Sequence, residues 1–304
     1  MLGVWVLFVA ILLVPEPASA WGPISHLAHG SDVLRSFTTL GVGLQQLLEQ
    51  YPLHYLYGCV GADITVAKKY TRAMQAHCHS WPVGWQILAA ARTDAERAFA
   101  YGYLTHLAAD VYSHNHYVPT QLIVSFRART LRHIYWEARF DAMQPARYWS
   151  LLRRLRRHEF PECDALVKRV VARTLFSFRT NKRIFDSVLA FHDWNNWARL
   201  IREHSTRSRF PLPAAVVHRY HAACVANATD VLARGKRASC QAADPTGLEA
   251  LTLAKRVRRT LKTLHRRRAI TPDVDAALAR LDARADLEEF LSAGVQPDNV
   301  LALR

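Results

Sequence analysis

The sequence predicts an all-α protein: a single multi-helix domain with a C-terminal helical extension. Half of the 304 residues are hydrophobic, and the apolar residues recur mostly at spacings of three and four, the period of an amphipathic helix. Glycine and proline, which interrupt long helices, number only 12 and 13. A chain of this length contains enough apolar residues for one substantial core.

The first twenty residues predict a signal peptide. Residues 4–14 form an uninterrupted apolar run, which is too short to span a bilayer comfortably, and residues 18–20 follow as an A-x-A cleavage site. No Lys or Arg precedes the apolar run, so an uncleaved anchor is the alternative. We expect an exported protein, periplasmic or extracellular, that begins at Trp21 and has no transmembrane segment after processing.

The chain is organised around residues 100–119. His106, Asp110 and His114 follow one another at intervals of four and therefore share one face of a predicted helix, as a polar stripe among apolar neighbours. His116 follows two residues later, within residues 115–119, which are expected to end this helix. Imidazole and carboxylate groups are zinc ligands, and a buried stripe of them is costly unless something pairs with it. The stripe therefore indicates a metal site, with mutual His–Asp hydrogen bonding as the alternative.

The segment before this helix adds four ligand-type residues. His26 lies near the start of a predicted helical region that extends to residue 48. Asp63 lies in a segment punctuated by glycine, where a lone Asp is usually a helix cap. His77 and His79 form an H-x-H pair in a predicted loop, and either one is a candidate ligand.

The segment after it is predicted to form a packed helix at residues 132–141. His133 and Glu137 lie one turn apart on this helix. Taken alone, a His/Glu pair at this spacing is more often a pair on the protein surface than part of a metal site. Five further helices are predicted at about 164–178, 184–204, 213–234, 246–267 and 273–292. We place the main domain at residues 21–205 and a basic helical extension at residues 206–304.

The charge is strongly positive, with a formal net charge of +15. Basic clusters occupy residues 153–158 and 255–268. Such a surface favours anionic partners, which include nucleic acid, anionic lipid and an acidic envelope, without choosing among them. The five cysteines are an odd number, so at least one is left outside intramolecular disulfides.

Together, these motifs resemble those of the bacterial zinc-dependent phospholipases C, relatives of the fungal zinc-dependent single-strand nucleases. The resemblance covers about residues 21–141. Trp21 and His26, five apart at the cleavage site, are similar to the nuclease form of the N-terminus. His106-x-x-x-Asp110 is similar to the core motif of both groups, and His133-x-x-x-Glu137 is similar to the phospholipase form.

The resemblance implies an α-helical fold of this type that binds up to three zinc ions. It distributes the ligand-type residues over three sites: Asp63, His79 or His77, His106 and Asp110 in the first; the amine and carbonyl of Trp21, with His26 and Asp110, in the second; and His114 or His116, His133 and Glu137 in the third. The family spacing of six residues after the central Asp favours His116, whereas the helical face favours His114. We favour His79 over His77 because an aromatic residue follows it closely.

The resemblance also implies the reaction, which is hydrolysis of a phosphodiester. Zinc ions in one cleft neutralise phosphodiester oxygens and lower the pKa of water. The residues expected to act in catalysis are Asp63, which would orient or deprotonate the attacking water, the bridging Asp110, and Glu137. We expect a phospholipase C that acts on phospholipid headgroups and contacts anionic membranes peripherally. The alternatives are a zinc-dependent single-strand nuclease and a non-catalytic, metal-stabilised envelope or lipid-binding protein.

Overall fold

The structure, a computed structural model, describes residues 22–36, 39–65, 77–128, 133–171, 176–192 and 208–284, together with residues 199, 201 and 203. Within these residues it consists of helices and contains no strand, so the predicted all-α class is confirmed. No helix in this part of the chain combines the length and the apolar character needed to cross a bilayer. The predicted signal peptide and Trp21 lie outside the described residues.

The helices have the following bounds. In chain order they are α1 (Pro23–Arg35), α2 (Val42–Gln50), α3 (Pro52–Gly61), α4 (Trp81–Ala90), α5 (Asp94–Tyr112), α6 (Val118–Val124), α7 (His133–Ala142), α8 (Ala146–Leu155), α9 (Pro161–Val170), α10 (Phe178–His192), α11 (Ala214–Arg234), α12 (Leu248–Arg266) and α13 (Pro272–Arg284). Short 3₁₀ turns at Ala62–Ile64, Gly235–Arg237 and Ser239–Ala242 and a π-helical turn at Ser113–Tyr117 lie between them.

Helix α5 is the centre of the fold, and it is buried along most of its length. It begins with a capping box, in which the Thr93 hydroxyl accepts the backbone N–H of Glu96 and the Glu96 carboxylate accepts that of Thr93. Helices α3, α4 and α11 pack against it. Where α3 and α5 cross, Gly58 and Gly102 allow backbone contact, because a side chain on either would overlap the backbone of the other helix.

Two hydrophobic clusters lie on either side of α5. The first joins α5 to the N-terminal helices, with Leu104 and Leu107 at its centre. The second includes Ala109 and joins α6 and α7 to α11, α12 and α13. Of the helices beyond residue 207, α11 packs on the central helix α5, and α12 and α13 pack on α6. The domain boundary near residue 205 stays a prediction.

The helix boundaries differ from the sequence-based expectation at several places. The helices predicted at 164–178 and 184–204 are instead α9, which ends at Val170, and α10, which begins at Phe178. Residues up to 48 form two helices, α1 and α2, rather than one, and α1 begins at Pro23, which suits the first position of a helix. The central helix was expected to end at residues 115–119. Instead, the π-helical turn links α5 directly to α6, and the backbone N–H of Val118 donates to the carbonyl of Ser113. The predicted helices at 213–234 and 246–267 are confirmed by α11 and α12.

Candidate metal centre

Five ligand-type side chains meet beside the middle of α5. His106 and Asp110 come from α5 itself, His26 from α1, Asp63 from the 3₁₀ turn after α3, and His79 from the turn before α4. Four of the five are at most 1% exposed. The side chain of Asp63 is 23% exposed, so this cluster reaches solvent at Asp63.

The distances within the cluster have a regular pattern. The Nε2 atom of His79 lies 3.0 Å from Nε2 of His106, 3.3 Å from Oδ1 of Asp63 and 3.4 Å from Oδ2 of Asp110. The Nε2 atom of His106 lies 3.2 Å from the same Asp110 oxygen. For zinc bonds of about 2.0–2.1 Å, the edges of a coordination tetrahedron are about 3.3–3.4 Å long. The donor atoms of His79, His106 and Asp110 are therefore spaced like three ligands of one tetrahedral zinc ion, and Oδ1 of Asp63 lies at a similar distance from His79.

The second oxygen of Asp110 faces a different partner. Its Oδ1 atom lies 3.3 Å from Nε2 of His26, whose ring stacks on that of His106 with centroids 3.8 Å apart. Oδ2 of Asp110 thus faces His79 and His106, while Oδ1 faces His26. This arrangement is expected of a carboxylate that bridges two ions. Trp21, the other predicted ligand of this second site, lies outside the described residues.

A separate group forms where α7 faces the π-helical turn. The Nε2 atom of His133 lies 2.6 Å from Oε1 of Glu137, and Nε2 of His114 lies 3.9 Å from the same oxygen. One donor atom from each of the three residues fits within 4.8 Å of the others. All three are at most 3% exposed. They have the composition and the burial of a third metal site.

The structure separates the two pairs of alternative ligands. His114 joins His133 and Glu137, whereas the half-buried His116 packs its ring against Tyr112, with centroids 4.9 Å apart. The helical-face argument therefore describes this position better than the family spacing does.

His77 and His79 are separated in the same way. His79 points its Nε2 atom into the first cluster, while Nδ1 of His77 accepts the backbone N–H of His79 at 3.1 Å. His77 thus stabilises the turn that carries His79. One donor atom each from His77, Cys78 and His79 also fits within 4.8 Å, but these three are consecutive in the chain.

The protonation of the buried groups suits a metal. Burial raises the pKa of Asp110, but the neighbouring imidazoles of His106 and His26 outweigh this effect and hold the pKa well below its usual value. Burial lowers the pKa of His26, which favours the neutral, ligating form. Within the described residues, neither Asp110 oxygen nor either ring nitrogen of His26 has a hydrogen bond of ordinary geometry. Burial raises the pKa of Glu137 well above its usual value, so a carboxylate there needs a cation beside it.

Backbone carbonyls orient two of the histidines. The Nδ1 atom of His106 lies 2.9 Å from the carbonyl oxygen of Cys59, and Nδ1 of His114 lies 2.6 Å from that of Pro245. A carbonyl can only accept a hydrogen bond, so Nδ1 carries the proton and donates it. The lone pair of each neutral ring is then on Nε2, which faces the other ligand-type residues. Sequence reasoning missed these partners because a backbone carbonyl has no signature in the sequence.

Asp141 is a further residue that sequence reasoning missed. It is fully buried and accepts the backbone N–H groups of Ile24 at 3.2 Å and Ser25 at 2.9 Å, and the hydroxyl of Ser25. Asp141 thus caps the first turn of α1, the helix that carries His26. The signal was present in the sequence, because Asp141 lies one further turn beyond His133 and Glu137.

Comparison with known protein families agrees with this geometry. The chain matches the family model "Zinc dependent phospholipase C" over residues 25–207, a region that includes every predicted ligand except Trp21. Comparison with curated proteins and with solved structures gave no significant match. The family match covers more than half of the chain and contains both clusters of ligand-type residues, and on this basis the chain belongs to the zinc-dependent phospholipase C family.

Proposed function

We propose that this protein is an exported zinc-dependent phosphodiester hydrolase that acts as a phospholipase C on phospholipid headgroups. Family membership supports the reaction class. The observation that carries the proposal is the spacing of the donor atoms of His79, His106 and Asp110, which lie 3.0–3.4 Å from one another like three ligands of one tetrahedral ion, with Asp63 3.3 Å from His79. Such a site on its own could be structural, but the exposure of Asp63 gives it access to a substrate.

The residues present fit three zinc ions. Asp63, His79, His106 and Asp110 would hold the first, His26 and Asp110 would hold the second together with Trp21, and His114, His133 and Glu137 would hold the third. When bound, the zinc ions supply positive charge for the phosphodiester oxygens and make an attacking water more acidic.

The role of Asp63 follows from its position at the solvent side of the cluster. Its Oδ1 atom faces His79 at 3.3 Å, and its side chain is the most exposed among the donors of the first site. A substrate that approaches from solvent therefore meets Asp63 first. We assign to this carboxylate the orientation of the attacking water and acceptance of its proton.

Export belongs to the same proposal. Cleavage after Ala20 would leave the amine of Trp21 free to act as a ligand. Gly22 immediately precedes α1, and its carbonyl oxygen accepts the backbone N–H groups of Ser25 and His26. The chain connectivity therefore brings the N-terminus of the processed protein close to His26, one of the ligands of the second site.

A single-strand nuclease is the second candidate. Exposed basic residues favour it: Arg154 lies in the last turn of α8 and Arg156 and Arg157 follow directly after that helix, and Lys255, Arg256 and Arg259 lie on one face of α12. The same residues suit peripheral contact with an anionic membrane. Salt separates the two functions, because binding to a phosphate backbone weakens steeply with ionic strength.

The test is headgroup release from vesicles of phosphatidylcholine and of anionic phospholipid by the zinc-loaded mature protein. We expect release of a phosphorylated headgroup and diacylglycerol that stops when a chelator removes zinc. Asp63→Asn should lose most of this activity, and Asp32→Asn, which changes a carboxylate outside the clusters, should keep it. Zinc-replete protein that cleaves single-stranded DNA and leaves both lipids intact would replace this proposal with the nuclease. Inactivity on both would leave a binding or structural role.

A further inference from the structure

The loop between α11 and α12 touches the third cluster, although it lies beyond the family-matched region, which ends at residue 207. We propose that residues 241–247 of this loop, here called the docking loop, are a positioning element for His114. The C-terminal helices would then be part of the metal centre rather than an accessory to it. This inference rests on the proposed role of His114 as a zinc ligand.

The first observation is the hydrogen bond from His114 to Pro245. Its length of 2.6 Å and the full burial of the His114 side chain make it a strong constraint on the ring. Since the carbonyl oxygen accepts the proton on Nδ1, it fixes both the tautomer and the direction of Nε2, which faces Glu137. Within the described residues, the partner that orients this histidine is therefore supplied by the docking loop.

The second observation is that the loop is attached to the π-helical turn. The side-chain amide of Asn115 donates to the carbonyl of Asp244 and to that of Val111, both at 2.9 Å. The carboxylate of Asp244 in turn accepts the backbone N–H of Thr246 at 3.0 Å and also its hydroxyl. These bonds close the turn that presents the Pro245 carbonyl to His114.

The third observation is that the same loop is bonded to α4, the helix next to the first cluster. The indole N–H of Trp81 donates to the carbonyl of Ala243 at 2.9 Å, and that of Trp85 donates to the side-chain oxygen of Gln241 at 3.1 Å. Both tryptophans belong to α4, which begins directly after the turn that carries His79. The docking loop thus spans from the His79 side of the centre to His114.

The fourth observation is the close approach of Gly247 to His114. Gly247 has a φ of +56°, and a side chain there would overlap the Cβ atom and the backbone of His114. Gly235 also has a positive φ, of +59°, but its ψ is −132° whereas that of Gly247 is +29°, and a side chain at Gly235 would meet only the ring of Trp85, at 3.9 Å. Both positions therefore favour glycine, but only a side chain at Gly247 would press on His114.

This difference provides the experiment, which counts zinc in the purified mature protein by mass spectrometry after exchange against a weak chelator. Both Gly247→Ala and Gly235→Ala place a methyl group at a positive φ and should lower the melting temperature, so the zinc count, and not the stability, distinguishes them. We expect Gly247→Ala to fall from three zinc ions per chain to two, and Gly235→Ala to keep three. Three tightly held ions in Gly247→Ala would overturn the proposal.

A milder pair of variants covers the case in which Gly247→Ala does not fold. Asp244 and Asp230 each accept a backbone N–H and a hydroxyl from one nearby residue, which is Thr246 and Ser239 respectively. Asp244→Ala should weaken the affinity for one zinc ion by about 10–100-fold, the usual effect of losing an outer-shell partner, while Asp230→Ala should leave all affinities unchanged. Equal zinc affinities in the two variants would contradict the positioning role.

The wild-type measurement separates this inference from the function on which it rests. Fewer than three zinc ions in the intact wild-type protein would refute the three-zinc proposal and the inference together. Three ions in the wild type and three in both docking-loop variants would refute the inference alone.

Discussion

The Oδ1 atom of Asp110 lies 3.3 Å from Nε2 of His26, whereas the other oxygen of the same carboxylate, Oδ2, faces His79 and His106. The carboxylate is completely buried and is positioned between two sets of imidazoles. A carboxylate that binds one ion through one oxygen would need only one of these oxygens to face imidazoles, whereas a carboxylate that bridges two ions needs both.

Replacing Asp110 should therefore remove two zinc ions at once. In Asp110→Asn, the amide can supply only one neutral oxygen ligand, so neither the first nor the second site keeps its charge and geometry. We expect the zinc content to fall from three ions per chain to one, with loss of hydrolysis. Asp63→Asn is the comparison, because Asp63 belongs to one site and its loss should remove a single ion. Loss of one ion in Asp110→Asn would contradict the bridging role.

Retention of a single residue before Trp21 should impair the second site. The free amine would become an amide, which has no lone pair available for a metal. We expect protein that begins one residue earlier to hold one zinc ion fewer than protein that begins at Trp21, and to be much less active. Full zinc content and normal activity in the extended protein would show that the amine is not a ligand.

The two histidines of the π-helical turn should behave differently when replaced. His114→Gln should lose the third zinc ion, because His114 faces Glu137, and His116→Gln should keep it, because His116 packs against Tyr112 outside the cluster. Zinc content and headgroup release measure both effects. The reverse result would restore the family spacing as the better guide to the ligand.

Asp141 should make the stability of the metal-free protein depend on pH. Burial raises its pKa to about 7, whereas an unfolded Asp titrates near about 3.9. Between these values the folded state binds more protons than the unfolded state, so the free energy of unfolding should decrease as the pH rises. The full effect of a shift of this size is about 4 kcal/mol.

Urea denaturation of the metal-free protein between pH 5 and 7 checks this sign. The free energy of unfolding of the wild type should decline relative to that of Asp141→Asn as the pH increases. Asp230→Asn is the control, because the hydrogen bond from the backbone of Ser239 lowers the pKa of Asp230, which is therefore ionised in both states throughout this range. A constant difference between the wild type and Asp141→Asn would show that Asp141 does not titrate there.

Periodicity was sufficient to predict the helices that have one buried and one solvated face. Helices α11 and α12 follow the expected ranges closely for this reason. The end of the central helix was not predictable in the same way, because Pro119 normally ends a helix. Here the π-helical turn places Pro119 at the start of α6, where its missing N–H is tolerated, and packing of α6 and this turn against α12 accompanies it.

The candidate site was predictable to the extent that it depends on side-chain type and spacing. In the first cluster, His106 and Asp110 were predicted from their interval of four, whereas His26, Asp63 and His79 were assigned to metal sites through the family resemblance. The choice between His114 and His116 depended on the rotation of the helix, which a π-helical turn changes locally. The carbonyls of Cys59 and Pro245 could not be found, since any residue at those positions provides the same group.

The π-helical turn has a consequence for how the metal centre tolerates insertions and deletions. A turn with i→i+5 hydrogen bonds contains about one residue more than an α-helical turn, and each residue added to a helix rotates everything after it by about 100°. The π-helical turn therefore sets which face of α6, with its buried residues Val118 and Leu122, is turned toward the core, independently of the faces of α5. A length change confined to Ser113–Tyr117 would alter the interval between Asp110 and the third cluster while leaving the first cluster in place, and this turn is where zinc enzymes of this architecture have room to differ in ligand spacing.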